Sequence, residues 1–241
     1  MCSSCAKEGI GRRGLLKFGA AGIIALGLGG MPRQVRAAEA AASALSPGEA
    51  LAALKSGNER FASHPELCSI NFAEQRSAVA AHQAPWATII SCADSRVPPE
   101  LIFLAGTGVG EIFVARNAGN LVDTSTLGTV EYGAAVLGSP LIVVLAHTSC
   151  GAVKAACDVV TKNATFPGAI GPMIQPILPA ALAVRSEPGD FVNNAAKESA
   201  RRTVKRLTTA STLIAGLADK GKLKIVAAIY DLETGVVTYL D

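Results

Sequence analysis

Charge is scarce in this 241-residue chain: 17% of its residues are Asp, Glu, Lys or Arg, below the roughly 25% usual for globular proteins. With 50% hydrophobic residues beside it, that scarcity excludes wholesale disorder. Aromatic side chains are few as well, at 5%, so alanine, glycine and the branched aliphatics must build the core. Neither a G-x-y nor a heptad period is sustained, which excludes collagen-like and coiled-coil architectures, and no internal repeat is present. The length suits one ordinary domain, or two small ones, with ample material for a core. Basic surplus is missing too, once its position is considered. The formal charge is +3, but residues 1–37 hold six Lys/Arg against one acid, whereas residues 38–241 hold sixteen against eighteen. The larger part carries −2, and nothing in it supports a nucleic-acid-binding surface.

The basic excess belongs to the start, MCSSCAKEGIGRRGLLKFGAAGIIALGLGGMPRQVRAAEA. A charged region ends at Lys17, an uncharged glycine-rich stretch runs from Phe18 to Pro32, and small residues follow around Ala37 and Ala40. The uncharged stretch falls short of the roughly 20 residues that span a bilayer, so the layout is that of a cleavable export signal. The pair Arg12-Arg13, followed by Gly14-Leu15-Leu16-Lys17, resembles a twin-arginine signal. The expected organisation is a signal over residues 1–37, cut after Ala37 or alternatively Ala40, and one domain over 38–241. The product would be exported and periplasmic, with no stable membrane anchor after cleavage. Cys2 and Cys5 would leave with the signal. Of the remaining cysteines, Cys68 and Cys157 read as buried free thiols, although an oxidising compartment would permit a disulfide.

Within residues 38–241, Ser46 as N-cap, Pro47 at the first helical position and Glu49 three residues on predict a helix over 46–63. Short apolar runs at 86–91 (WATIIS), 111–115 (EIFVA) and 140–146 (PLIVVLA) predict buried parallel strands. A helix is expected over 123–138, opened by Asp123 or Thr124 and ended by Gly138, and another from about Cys150. Residues 172–187 and 190–219 read as helical, the second with a solvated basic face of Lys197, Arg201, Arg202 and Lys205. The end forms a strand, a turn at Glu233-Thr234-Gly235 and a second strand. Strands alternating with helices predict an α/β fold: a mainly parallel central sheet flanked by helices, with an N-terminal helical arm.

In such sheets, sites form beyond the carboxyl ends of the strands. Two strand ends carry unusual residues: Cys92-Ala93-Asp94-Ser95-Arg96 and His147-Thr148-Ser149-Cys150-Gly151. Cys92, His147 and Cys150 supply two thiolates and an imidazole, a set suited to tetrahedral zinc with one position open. The start of the helix after Cys150 should favour its thiolate through the helix dipole. Zinc lowers the pKa of a bound water to about 7. Asp94 would either fill the fourth position in a closed state or accept a hydrogen bond from the bound hydroxide, with Arg96 holding it ionised.

SCADSRVPPE and AHTSCGAV resemble the two signature segments of the β-class carbonic anhydrases, and RNAGN at 116–120 resembles the stretch between them. GNERF at 57–61 and the closing YDLETG are similar to the ends of bacterial members, so the resemblance spans nearly everything from residue 45 onward. One departure is Ala146, where many members have glycine. The resemblance implies one Zn2+ per subunit on Cys92, His147 and Cys150, with Asp94 and Arg96 as the catalytic dyad. It implies reversible hydration of carbon dioxide to bicarbonate and a proton by zinc-bound hydroxide. The alternatives are a related zinc hydrolase acting on carbonyl sulfide or carbon disulfide, and a zinc-binding homologue without activity. Gln83, Phe113, Tyr132 and the Gly151 backbone N–H would line the substrate pocket. Gln83 and Phe113 would come from a neighbouring subunit, which makes self-association to a dimer or tetramer part of the expectation. Members with an inhibitory bicarbonate site tend to have tryptophan three residues before the first cysteine. This chain has Ile89 there, although Arg116 and Tyr230 match other parts of that site. The Asp94-ligated form is therefore not the expected resting state.

Other motifs carry less. The glycines of Gly106-Thr107-Gly108-Val109-Gly110 lack the spacing of a dinucleotide loop, since Glu111 stands where a third glycine is needed, and read as a helix-to-strand turn. Ser95 has no nucleophile elbow. His64 and His82 read as surface residues, with proton shuttling as the alternative.

Overall fold

The computed structural model describes residues 45–63, 72–104 and 108–241. The predicted signal, Cys2, Cys5, His64, Cys68, Gly106 and Thr107 lie outside the described residues. Helix α1 (Pro47–Ser63) opens with the reciprocal cap written in its sequence. The Ser46 N–H donates to Glu49 Oε2 at 2.7 Å, and the Glu49 N–H donates to Ser46 Oγ at 3.3 Å. Two helices that hydrophobic periodicity does not announce follow, α2 (Phe72–Val79) and α3 (Pro99–Leu104), on either side of strand β1 (Ala87–Cys92).

Strands β2 (Ile112–Asn117), β3 (Leu141–His147), β4 (Lys224–Tyr230) and β5 (Val237–Leu240) complete one sheet in the order β2-β1-β3-β4-β5. The first four run parallel, and β5 returns antiparallel through the turn after Tyr230. Every residue of β1 and β3 is buried, which accounts for their unbroken apolar runs. Alternation along β3 assigns the two cores. Ile142, Val144 and Ala146 pack with the helices that follow the strand, whereas Leu141, Val143 and Leu145 pack with Leu54 of α1 and with Ile102 and Phe103 of α3. Each strand extends one or two residues past its predicted end, so that Cys92 and His147 are the last residues of β1 and β3.

The helical layer comprises α4 (Thr124–Glu131), α5 (Gly151–Lys162), α6 (Ile170–Ile174), α7 (Leu178–Ala183), α8 (Phe191–Ala210) and α9 (Thr212–Asp219). Three predicted helices are less regular than the sequence reading. The 123–138 stretch has Asp123 as N-cap, but its last turn, Tyr132–Val136, widens to π geometry before Gly138 at φ 69°. The 172–187 stretch is instead two short helices within residues 170–183, joined by a 3₁₀ turn, Gln175–Ile177; Pro176 in that turn and Pro179 at the start of α7 remove backbone donors, and residues 184–187 are turns. The 190–219 stretch breaks at Ser211, whose hydroxyl accepts from the Ile214 N–H at 3.1 Å while donating to Glu131 Oε1 at 2.5 Å. α8 buries a small-residue stripe (Ala195, Ala196, Ser199, Ala200, Thr203, Leu207), leaving Arg201, Arg202 and Lys205 exposed as predicted, whereas Lys197 is half-buried. Among the described residues no helix is long and apolar enough to cross a membrane.

Candidate metal centre

Strand order decides where the site lies. β2 and β3 follow β1 in the chain but pair with its opposite edges, so their connections diverge and open a crevice at the carboxyl ends of β1 and β3. Cys92 and His147 end those two strands, and Cys150 is the N-cap residue of α5 with no side-chain capping bond of its own. One ligand atom from each of the three lies within 4.8 Å of the others. The two Sγ atoms are 4.0 Å apart, close to the roughly 3.8 Å that two 2.3 Å zinc–sulfur bonds span at a tetrahedral angle.

The histidine is prepared in the same sense. Its Nδ1 lies 2.9 Å from the Thr148 carbonyl oxygen, which can only accept, so Nδ1 carries the proton and Nε2 the lone pair. Nε2 is buried and has no hydrogen-bond partner among the described residues. A fully buried imidazole with an orphaned acceptor beside two buried thiols is costly as a structural feature and apt as a metal seat. The residues present therefore fit zinc.

The thiols differ from each other. The two thiols share a hydrogen bond, and this bond lowers the Cys92 pKa against burial, with help from the Gly119 N–H. The same bond and burial raise Cys150, outweighing the α5 amides of Ala152 and Val153 that pull it down. The pull of these amides on Cys150 is in the direction expected of the helix start. Gly119 reaches Cys92 Sγ at 3.4 Å from a turn with φ 85°, and a side chain there would collide with Ile177 Cδ1 at 2.9 Å.

Asp94 stands at the edge of this cluster, with Oδ2 3.8 Å from His147 Nε2. Arg96 grips it with a fork, Nε to Oδ1 at 2.9 Å and Nη2 to Oδ2 at 2.7 Å, and its backbone N–H adds a bond to Oδ1 at 3.0 Å. These bonds hold the Asp94 carboxyl well below the usual carboxylate range, so it is ionised at any working pH. Sequence reasoning overlooked the props behind the dyad and ligands. Arg116 donates from Nε to the Cys92 carbonyl at 3.0 Å and from Nη2 to the Asp94 carbonyl at 2.7 Å. The Thr148 N–H continues the β4 ladder to the Tyr230 carbonyl at 2.9 Å, and its hydroxyl accepts from Leu232 N–H at 3.0 Å. Asn193 of α8 accepts from the Ser149 N–H at 3.0 Å. Only the last lies outside any motif, and nothing local in the sequence signals it.

The predicted pocket residues do not all converge in one chain. Gly151 begins α5 beside Cys150, with its N–H at the helix start. Phe113 pairs with Thr88, four residues from the strand end and so about 13 Å from the ligands along the sheet. Its ring lies 6.2 Å from that of Tyr132, which is 47% exposed. Gln83 is exposed in the loop before β1, at the opposite end of that strand from Cys92. His82 is exposed, and Cys157 is a buried free thiol. Gly108 and Gly110, both at positive φ, lie in the segment between α3 and β2, as expected of a turn.

A mainly parallel sheet with a Cys₂His cluster at its switch point, and an ionised acid clamped beside it, defines a metal-dependent α/β enzyme fold. Residues 87–237 match the family model described as carbonic anhydrase. The chain is 37% identical to carbonic anhydrase 2 of Mycobacterium tuberculosis over 190 residues, covering 79% of this chain and 91% of that protein. In structure it is similar to the β-carbonic anhydrase CafA of Aspergillus fumigatus, with a TM-score of 0.62 and 25% identity over 80% of this chain and 90% of that one. It also shares its fold with a tetrameric β-carbonic anhydrase of Sordaria macrospora, with a TM-score of 0.62 and 24% identity over 80% of this chain and 95% of that one. This chain belongs to the carbonic anhydrase family, in its β class.

Proposed function

We propose that this protein catalyses the reversible hydration of carbon dioxide to bicarbonate and a proton. The observation that carries the reading is the buried Cys92–His147–Cys150 cluster, with its orphaned Nε2, set 3.8 Å from a carboxylate that arginine keeps ionised. Zinc, when bound by these three residues, supplies the Lewis acidity that makes hydroxide available near neutral pH. Asp94 offers only acceptor oxygens, so it orients an O–H donor at the cluster's edge and directs that oxygen's lone pair away from itself. Arg96 occupies both Asp94 oxygens, which keeps the carboxylate off the metal seat and favours the open form at rest. Gly119 tempers the charge on Cys92 by donating to its sulfur.

Self-association belongs to the same reading. Gln83, Phe113 and Tyr132 lie exposed or half-buried and away from their own chain's ligands, where a second subunit could use them. Export is inferred from the Arg12-Arg13 segment alone, and amino-terminal sequencing of the periplasmic protein should begin at Ala38 or Ala41. Stopped-flow pH-indicator kinetics on zinc-loaded protein test the activity. Rapid proton release by the wild type, and a loss of two orders of magnitude or more in Asp94→Ala, are expected. Equal rates in both would refute the mechanism, and sulfide release from carbonyl sulfide without carbon dioxide hydration would move the substrate.

A further inference from the structure

We propose that Asn193, on α8 and 43 residues beyond the last metal ligand, is a positioning residue that sets the geometry of the zinc-ligand loop by holding Ser149 in a left-handed turn. The proposal rests on the metal reading above and goes beyond its ligands and dyad.

The loop His147-Thr148-Ser149-Cys150 has a demanding task. His147 leaves β3 in extended conformation, Cys150 enters α5 as its N-cap at φ −69°, ψ 122°, and only two residues lie between them. The chain must reverse sharply for Nε2 and Sγ to face one point. Thr148 is still held straight by its N–H bond to the Tyr230 carbonyl, so the reversal falls on Ser149, at φ 55°. A serine in that region is strained, and the surroundings must enforce it. The residue is exposed and its side chain makes no hydrogen bond among the described residues, so its own side chain does not supply the constraint.

Asn193 does. Its Oδ1 accepts from the Ser149 N–H at 3.0 Å. Asn193 is itself fixed in the first turn of α8, where its N–H donates to the N-cap carboxylate of Asp190 at 2.7 Å. The neighbouring Asn194 ties the turn further by donating from Nδ2 to the Pro188 carbonyl at 3.0 Å. α8 in turn packs through Ala195, Ala196 and Ala200 into the core that holds β3. The Ser149 amide is thereby referred to a rigid helix on another part of the chain. Without that acceptor the amide would be left to solvent and the loop would relax toward negative φ, carrying His147 and Cys150 apart. Partners behind metal ligands of this kind change metal affinity by 10- to 100-fold.

The test uses the zinc-loaded protein, read by the rate of zinc loss to a chromogenic chelator and by the thiolate-to-metal absorption bands of the cobalt-substituted form. Asn193→Ala is expected to lose zinc 10- to 100-fold faster and to shift or broaden the cobalt bands, with a thermal midpoint near that of the wild type because the Asp190 cap remains. Asn193→Asp retains an acceptor and should restore both readouts. Ser149→Gly, which adopts positive φ freely, should recover part of the loss when combined with Asn193→Ala. Wild-type zinc loss and cobalt bands in Asn193→Ala would overturn the proposal, as would an Asn193→Asp variant as leaky as Asn193→Ala. A wild-type protein that takes up no zinc would overturn the metal reading itself, a separate result.

Discussion

Adding one methyl group to α1 should cost this protein about as much as a core truncation. A Cβ built on Gly57 lies 1.6 Å from the Phe103 carbonyl oxygen and 2.7 Å from its carbon, both backbone atoms of α3. Contact at a van der Waals distance needs about 3.5 Å, so α1 and α3 would have to separate by roughly 2 Å. Overpacking of this kind costs about 1–3 kcal/mol. The next residue compounds it. Asn58 Nδ2 donates to the Gly235 carbonyl at 2.8 Å, and its Oδ1 accepts from Val237 N–H at 2.7 Å, joining α1 to the start of β5. Moving α1 breaks these buried bonds at about 1 kcal/mol each, while alanine's helix propensity returns about 1 kcal/mol. The net expectation for Gly57→Ala is a loss of about 2–4 kcal/mol, which in a domain of this size lowers the midpoint by roughly 5–15 °C. The control is on the same helix: a Cβ at Gly48 meets nothing within 4 Å, so Gly48→Ala should be neutral or stabilising by up to about 1 kcal/mol. Thermal unfolding at one fixed protein concentration compares the three proteins, because subunit association would otherwise shift the midpoints. If Gly57→Ala melts within 2 °C of the wild type, the close helix crossing and the argument built on it are wrong.

Three further outcomes follow from individual groups. Asp94 has its pKa lowered by Arg96, so its carboxylate stays charged throughout the neutral range; its contribution to stability is present above the usual carboxylate pKa and fades as pH falls through the depressed value. Activity profiles between pH 5 and 9 should therefore show no inflection from Asp94, and Arg96→Lys, which loses the fork, should reduce the rate without creating one. Burial pushes the Cys157 thiol up to about 11. The native thiol should resist iodoacetamide at pH 8 until denaturant exposes it, and its contribution to stability should fall as pH rises from 9 towards 11, as measured by peptide-mapped alkylation and urea titration. Ser211→Ala removes the α9 cap and the bond to Glu131 together, and should cost about 1–3 kcal/mol in urea unfolding, with α9 amides losing exchange protection first.

What the sequence made legible was whatever depends on near neighbours. Ser46 and Glu49 announce α1 because a capping box closes over three residues, and the buried strands announce themselves because β1 and β3 are apolar on both faces. The ligand triad was legible for a different reason: cysteine and histidine are rare here, and both clusters stand where apolar runs stop. The failures share a cause. The break at Ser211 is invisible in a helical run of alanine, threonine and serine, because its second bond partner, Glu131, lies 80 residues away. Arg116 stands out in the sequence only through resemblance, and its part in holding the Cys92 and Asp94 carbonyls shows only once β2 pairs with β1. Asn193 reads as an ordinary first-turn residue until α8 folds back beside the loop after β3. The chemistry of the centre is carried by residues close in sequence, which is why two short segments suffice to recognise it. Its geometry is carried by long-range supports that only the assembled sheet and its helices bring within reach. Substitutions at Asn193 and Arg116 should therefore leave both signature segments intact while altering the site that those segments build.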